Sequence, residues 1–262
     1  MKNFIIPLLV SFLLLLIGQP IMSQSQPFEQ EIDKMIKDNK AMGIAVTVVK
    51  KNKIIYSKGF GWKDKEAGQP LTDENLFRIA SISKSFSATS IMQLVEAGKL
   101  SLDEDVSGLI GFKVRNPKFP ETVITLRMML SHLSSINDSE GYFSLDFINP
   151  DKNPNWAKCY SDYEPGKGYR YCNLNFNMVG TIIERVSGER FDEYVRHHVL
   201  EPLGLYGGYC VDSLDRNKFA TIYDYGATGQ YAAAPAAYAS RSEELRNYIT
   251  GYSTPIFSPT GG

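Results

Sequence analysis

Apolar residues along this 262-residue chain change period several times, and each period predicts an element. Phe28, Ile32, Met35 and Ile36 recur at i, i+4, i+7 and i+8, an amphipathic helix that Gly43 closes. The β-branched run Ile44-Ala45-Val46-Thr47-Val48-Val49, the turn Lys51-Asn52-Lys53 and the run Ile54-Ile55-Tyr56-Ser57 predict a hairpin. A lone hairpin is marginal in water, so further strands or a covering helix are expected to complete it. Gly59-Phe60-Gly61-Trp62 and Gly68-Gln69-Pro70 read as loops.

Helical period returns at Ala88, Ile91, Met92, Leu94 and Val95, which predicts a core helix over residues 85–97 with Gly98 as its stop. From residue 100 to about 211 the pattern is helical and loop-rich, without long strands. Within it, residues 124–130 run into the turn cluster Ser131-His132-Leu133-Ser134-Ser135. Turn-rich residues 164–170 precede Tyr171-Cys172-Asn173, after which Met178, Val179, Ile182, Ile183 and Val186 pattern a second core helix ending at Gly188. A further helix carrying Phe191, Tyr194, Val195 and Val199 leaves His197 and His198 partly exposed, and a short helical piece falls at residues 242–248. The fold class is α/β in the broad sense and α+β in arrangement: an antiparallel sheet packed by helices, plus a helical lobe.

Composition narrows this picture. At 43% hydrophobic and 12% aromatic the chain is globular, with one sizeable core or one domain of two lobes. A net charge of −1 offers no surface for nucleic acid or acidic lipid, which leaves a small or neutral substrate as the expected partner. Lys2, an apolar run over residues 4–17 and then Gly18-Gln19-Pro20 with small or polar residues to Ser23 and Gln24 read as an export signal, residues 1–23, cut near Ser23. The run is shorter than the ~20 residues that span a bilayer, so no stable membrane anchor is expected. A single domain over residues 27–262, periplasmic or secreted, is the expectation. Cys159, Cys172 and Cys210 are an odd number, so at most one intrachain disulfide forms; Cys159 with Cys172 is one pairing, and a free buried Cys172 is the alternative. The three histidines lack zinc spacing, and neither a metal nor a cofactor is expected.

The chemistry centres on Ser81 and Lys84. Three residues apart on a first helical turn, they share one face, and a lysine there can serve as the base that takes a serine's proton. Ser-x-x-Lys arises by chance roughly once in a chain of this size, so its place at the head of a core helix is what singles it out; a serine cap beside a surface lysine is the plain alternative. Ser83 is the nearest decoy and should point away from the lysine. Gly59 and Gly61 lack the third glycine and the Lys-Ser/Thr ending of a phosphate loop, and they read as strand-end and turn glycines. A Ser-His-Asp hydrolase is disfavoured, because no Gly-x-Ser-x-Gly elbow occurs and His132 lies in a polar turn that suits a structural histidine. Tyr171, at the mouth of the second core helix, suits a proton shuttle and Asn173 an amide ligand, though either residue taken alone reads as packing.

Four stretches occur together and in order: Ile79-Ala80-Ser81-Ile82-Ser83-Lys84, Met129-Leu130-Ser131-His132-Leu133-Ser134-Ser135, Glu164-Pro165-Gly166 leading to Tyr171-Cys172-Asn173, and Glu201-Pro202-Leu203-Gly204-Leu205. With them the chain resembles the class C β-lactamase and penicillin-binding serine hydrolase family from about residue 28 onward. The resemblance implies a β-lactamase/transpeptidase-like fold and an acyl-enzyme on Ser81, with Lys84 taking or relaying its proton. It implies that Tyr171 shares base duty and protonates the leaving group, and that Asn173 touches the substrate's acyl side. The implied substrate is a β-lactam, a D-alanyl peptide of the peptidoglycan type, as for a carboxypeptidase, or a small ester. A non-catalytic cell-wall or peptide-binding module on the same fold is the alternative.

One part of the family pattern does not appear. The third motif, Lys-Thr-Gly or His-x-Gly on a late strand, is missing from these residues, and Ser258-Pro259-Thr260-Gly261-Gly262 is similar to a family turn that precedes the last strands. The resemblance therefore implies missing C-terminal strands, open edges along residues 44–49 and 54–57, and a chain of low stability and activity.

Overall fold

The computed structural model describes residues 21–261. The apolar run at 4–17, and with it most of the expected export signal, lies outside the described residues. Two units arise from the chain, one from residues up to 76 with 217–237, the other from 77–216 with 238 onward.

In the first unit, helix α1 (Ile21–Asp38) extends the predicted helix and turns Ile32 inward. Glu29 on this helix accepts a hydrogen bond from Tyr56 (3.0 Å) and pairs with Lys58 (2.7 Å), while Phe28 meets the Tyr56 ring edge-on. Strands β1 (Gly43–Lys50) and β2 (Lys53–Asp64) form the predicted hairpin. Its two-residue connection, Lys51-Asn52, has positive φ at both positions (51° and 59°), the turn whose twist matches that of paired strands.

Two sequence expectations are corrected here. Gly59-Phe60-Gly61-Trp62 is not a loop but the second half of β2, and Gln69-Pro70 is a short strand, β3 (Gln69–Pro70), paired with Trp62 and Asp64. Glycine is present in β2 because another backbone comes too close for a side chain: a Cβ on Gly59 would lie 2.5 Å from the Leu71 carbonyl oxygen. Proline is tolerated in β3 because it lies at the sheet's margin, in a three-stranded order β1-β2-β3. Among the described residues β1 pairs with β2 alone, and Val49, Ile54 and Ile55 are exposed, so the expected open edge is present. A second hairpin, β4 (Tyr223–Tyr225) with β5 (Tyr231–Ala233), was not legible, since three-residue strands carry too few positions to show a period.

The second unit is the helical lobe. The 3₁₀ turn Ala80–Ser83 leads directly into α2 (Lys84–Glu96), followed by the short helices α3 (Val106–Ile110) and α4 (Leu126–Leu130). Helix α5 (Asn173–Ser187) runs through its centre and stops at Gly188 in the left-handed conformation. Eleven of its fifteen residues are buried, so α5 is enclosed nearly all round and the other helices pack onto it. Leu174, Met178, Val179, Ile182 and Ile183 of α5 share one core with Ile91 and Leu94 of α2 and Leu126 and Met129 of α4. Helix α6 (Phe191–Val195) completes that core and continues through a π-helical turn, Arg196–Leu200, where His197 and His198 are half exposed as expected. The predicted helix near residues 242–248 is shorter, α7 (Ser242–Leu245).

The mixed architecture of antiparallel sheet and helices is the expected fold class. Because the Gly59 backbone touches that of Leu71, Gly59→Ala is expected to lower unfolding stability by about 1–3 kcal/mol through overpacking. Urea denaturation followed by circular dichroism checks this, and an unchanged midpoint would show that the approach is not constrained.

Candidate active site

Ser81 sits on a 3₁₀ turn, where residues three apart eclipse one another. That geometry stacks Lys84 over Ser81, and the ammonium Nζ donates to Ser81 Oγ at 3.0 Å. Lys84 is 6% exposed, whereas Ser81 is open to solvent, so the base side is sheltered and the hydroxyl is presented outward. Ala80, at φ 46°, is held in the left-handed region that non-glycine residues seldom adopt. Ser83, by contrast, is buried at 3%, and its backbone carbonyl accepts from the Tyr209 hydroxyl at 2.7 Å.

Tyr171 arrives from the approach to α5, and its hydroxyl donates to Ser81 Oγ at 2.8 Å. The serine oxygen thus meets both a phenol and an ammonium, and Lys84 Nζ lies 5.0 Å from the centre of the Tyr171 ring and 5.6 Å from that of Phe176. The remaining partner of the ammonium is the carbonyl of Thr260, 2.6 Å away. Sequence reasoning did not single out Thr260, because a backbone carbonyl leaves no trace in residue type.

Asn173 is the first residue of α5, as expected, but its amide is already engaged: Nδ2 donates to Asp138 Oδ2 at 3.1 Å. Asp138 is the second residue that sequence reasoning missed. Its carboxylate also accepts the backbone N–H groups of Asn173 (2.8 Å) and Leu174 (2.9 Å) and the Cys172 thiol (3.1 Å). A carboxylate brought in from another loop caps a helix start that Cys172 itself does not cap. The only sequence signal was an acidic residue just beyond the 131–135 turn.

His132 has the structural role expected of it, yet it lies at the site. Its Nδ1 accepts the Cys172 N–H at 3.1 Å, and its ring lies 4.5 Å from that of Tyr171 and 5.3 Å from that of Phe176. Its backbone φ of 59° turns the chain sharply there, and its carbonyl accepts from the Arg170 N–H at 3.0 Å. Burial, assisted by the nearby Lys84 charge, holds the imidazole below its usual pKa, against a smaller opposing pull from Asp138. The neutral form is also the one that can accept from Cys172. All three cysteines are free and buried; the Cys159–Cys172 pairing is not made, and desolvation raises the thiol pKa at Cys172 and, to about 11, at Cys159. Among the described residues no group of histidine, cysteine and carboxylate side chains is arranged to hold a metal ion, and no helix is long and apolar enough to cross a membrane.

Two outcomes follow from this geometry. Asp138→Ala strips the α5 start of its cap and is expected to cost about 1–2 kcal/mol in thermal or urea unfolding, with Asp138→Asn recovering part of it. His132 binds its proton less readily in the folded chain than in the unfolded one. Its contribution to stability is therefore complete above about pH 6.5 and declines as pH falls through its lower folded value. Unfolding midpoints measured from pH 7 to pH 5 should show this decline, and His132→Gln should flatten it.

The chain as a whole has relatives among known proteins. Residues 28–252 match the family model described as Beta-lactamase. Esterase EstB of Burkholderia gladioli is 29% identical over 74% of this chain and 53% of its own length. The octameric penicillin-binding protein homologue from Pyrococcus abyssi superposes with a TM-score of 0.68 at 31% identity, over 82% of this chain and 51% of the other. A penicillin binding protein from Bacillus halodurans gives a TM-score of 0.63 at 25% identity, over 88% of this chain and 68% of the other. The chain spans about half the length of curated relatives such as EstB.

Proposed function

We infer from the chain's place in the beta-lactamase family, to which it belongs, that it acts as a serine hydrolase through an acyl-enzyme on Ser81. One observation carries this reading: the Tyr171 hydroxyl at 2.8 Å and the Lys84 ammonium at 3.0 Å converge on one exposed serine oxygen. A serine hydroxyl becomes a strong nucleophile only when a neighbour takes its proton, and here two groups of suitable chemistry are within hydrogen-bond reach.

In the proposed sequence the reactive form carries one proton fewer on the Lys84–Tyr171 pair, and that vacancy takes the proton of Ser81 Oγ as the oxygen attacks the carbonyl carbon. The tetrahedral intermediate collapses, the bond to the leaving group breaks, and Tyr171 protonates the departing atom. Water then attacks the acyl-enzyme, releasing the acid and restoring the Ser81 hydroxyl. Asn173, held by Asp138, lines the acyl side. Ile82, next to Ser81 in the chain, is exposed and apolar, which suits an acyl group of low charge. We propose a β-lactam, a D-alanyl peptide or a small ester as substrate, the last supported by the similarity to an esterase. Export to the periplasm or beyond is part of the same proposal and rests on the amino-terminal apolar run.

Labelling with a fluorophosphonate and with a fluorescent penicillin, read by intact mass, tests the assignment. The adduct should vanish in Ser81→Ala and persist in Ser83→Ala, and Tyr171→Phe should slow its formation by roughly 10²–10⁴-fold. Equal labelling of the two serine variants would overturn the nucleophile, and peptide binding with no adduct would indicate a binding module instead.

A further inference from the structure

Lys84 takes its backbone acceptor, the Thr260 carbonyl, from a segment that the α5 helix holds in place. Residues 248–261 return along one face of α5, formed by Asn177, Gly180, Thr181 and Glu184, which are spaced at helical period. Ser258 Oγ donates to Asn177 Oδ1 at 3.3 Å, and Thr181 Oγ1 donates to the Ser253 carbonyl at 2.9 Å. Gly180 leaves space that Pro255 and Pro259 fill, since a Cβ there would come within 2.1 Å of the Pro259 ring. At the near end Ser87 Oγ donates to the Pro259 carbonyl (3.1 Å) and Lys84 Nζ to that of Thr260 (2.6 Å).

The far end is fixed by a buried acid. Glu184 is 1% exposed and forms no ion pair among the described residues. Its carboxylate accepts the N–H of Phe191 (2.9 Å), the N–H of Gly251 (2.8 Å) and the hydroxyl of Tyr248. Burial raises its pKa, so the carboxylate occupies this place at a cost that an apolar side chain of similar size would avoid. Two of its three donors belong to the returning segment. Gly251, at φ 80° and pressed against Arg185, turns the chain so that its N–H meets the acid.

We propose that Glu184 is a positioning residue for Lys84: by tethering Tyr248 and Gly251 it sets the register in which Thr260 offers its carbonyl to the ammonium. The inference rests on the reading of Lys84 as the partner of Ser81. A slip of the segment by one residue would replace the Thr260 carbonyl by a neighbouring one facing elsewhere, and the lysine would lose the acceptor that holds it over Ser81. Glu184→Gln sets an amide NH₂ against donors, and Tyr248→Phe removes one donor while leaving the acid.

The test uses the full chain and two readouts. The first is acetylation of Lys84 by acetic anhydride, measured by mass spectrometry relative to the exposed Lys99. The second is the rate of Ser81 labelling by a fluorophosphonate across pH. In Glu184→Gln, Lys84 acetylation should rise about tenfold, and labelling should slow about tenfold with a displaced pH profile and an unchanged endpoint. Tyr248→Phe should move both readouts in the same direction by less. Variants that keep the wild-type circular dichroism spectrum, the wild-type Lys84 reactivity and the wild-type pH profile would overturn the proposal. If Glu184→Gln does not fold, Tyr248→Phe decides alone. Should the wild-type chain not label at Ser81, the hydrolase reading fails, while Lys84 reactivity still reports on the tether.

Discussion

An ammonium group withdrawn from water must be given acceptors, and among the described residues Lys84 is the cation for which that demand is most acute. It is met by one side-chain oxygen, Ser81 Oγ, one backbone oxygen, that of Thr260, and the faces of two aromatic rings. Each belongs to a different part of the chain: the turn before α2, the returning segment, the approach to α5 and α5 itself. Satisfying one buried cation therefore draws four stretches of the lobe to the same place.

Helix α5 supplies the frame for this convergence. Enclosed on nearly every side, it has little freedom to shift without disturbing α2, α4 and α6 together. Its start carries Asn173 just after Tyr171, its Phe176 faces the lysine, and the adjoining face seats residues 248–261. The rigidity of the rod passes to groups that are themselves exposed, which is how a half-exposed phenol can keep a defined hydrogen bond to a serine.

A second set of residues acts on the site without touching Ser81. Asp138 gathers four donors at the start of α5, and His132 accepts the Cys172 N–H while its ring lies against that of Tyr171. Both fix the backbone from which Tyr171 and Asn173 project. A histidine beside a serine invites comparison with a catalytic triad, but here Nδ1 is committed to a backbone N–H and the imidazole serves as a wall and an acceptor.

The residue pattern by itself determined the hairpin, the core helices and the pairing of Ser81 with Lys84, because each depends on spacing within a few positions, where period and rise dictate which side chains meet. It misjudged Gly59 to Trp62, since glycine signals a turn unless another backbone lies against it, and only the folded chain places Leu71 there. Tyr171 and Asn173 were visible as residue types at a helix mouth, but the arrival of Tyr171 at Ser81 is a contact across ninety positions. Asp138, the Thr260 carbonyl and the acid of Glu184 were decided by tertiary structure alone. A carboxylate reads as surface until burial surrounds it with donors, and a carbonyl, common to every residue, gains meaning only from what approaches it.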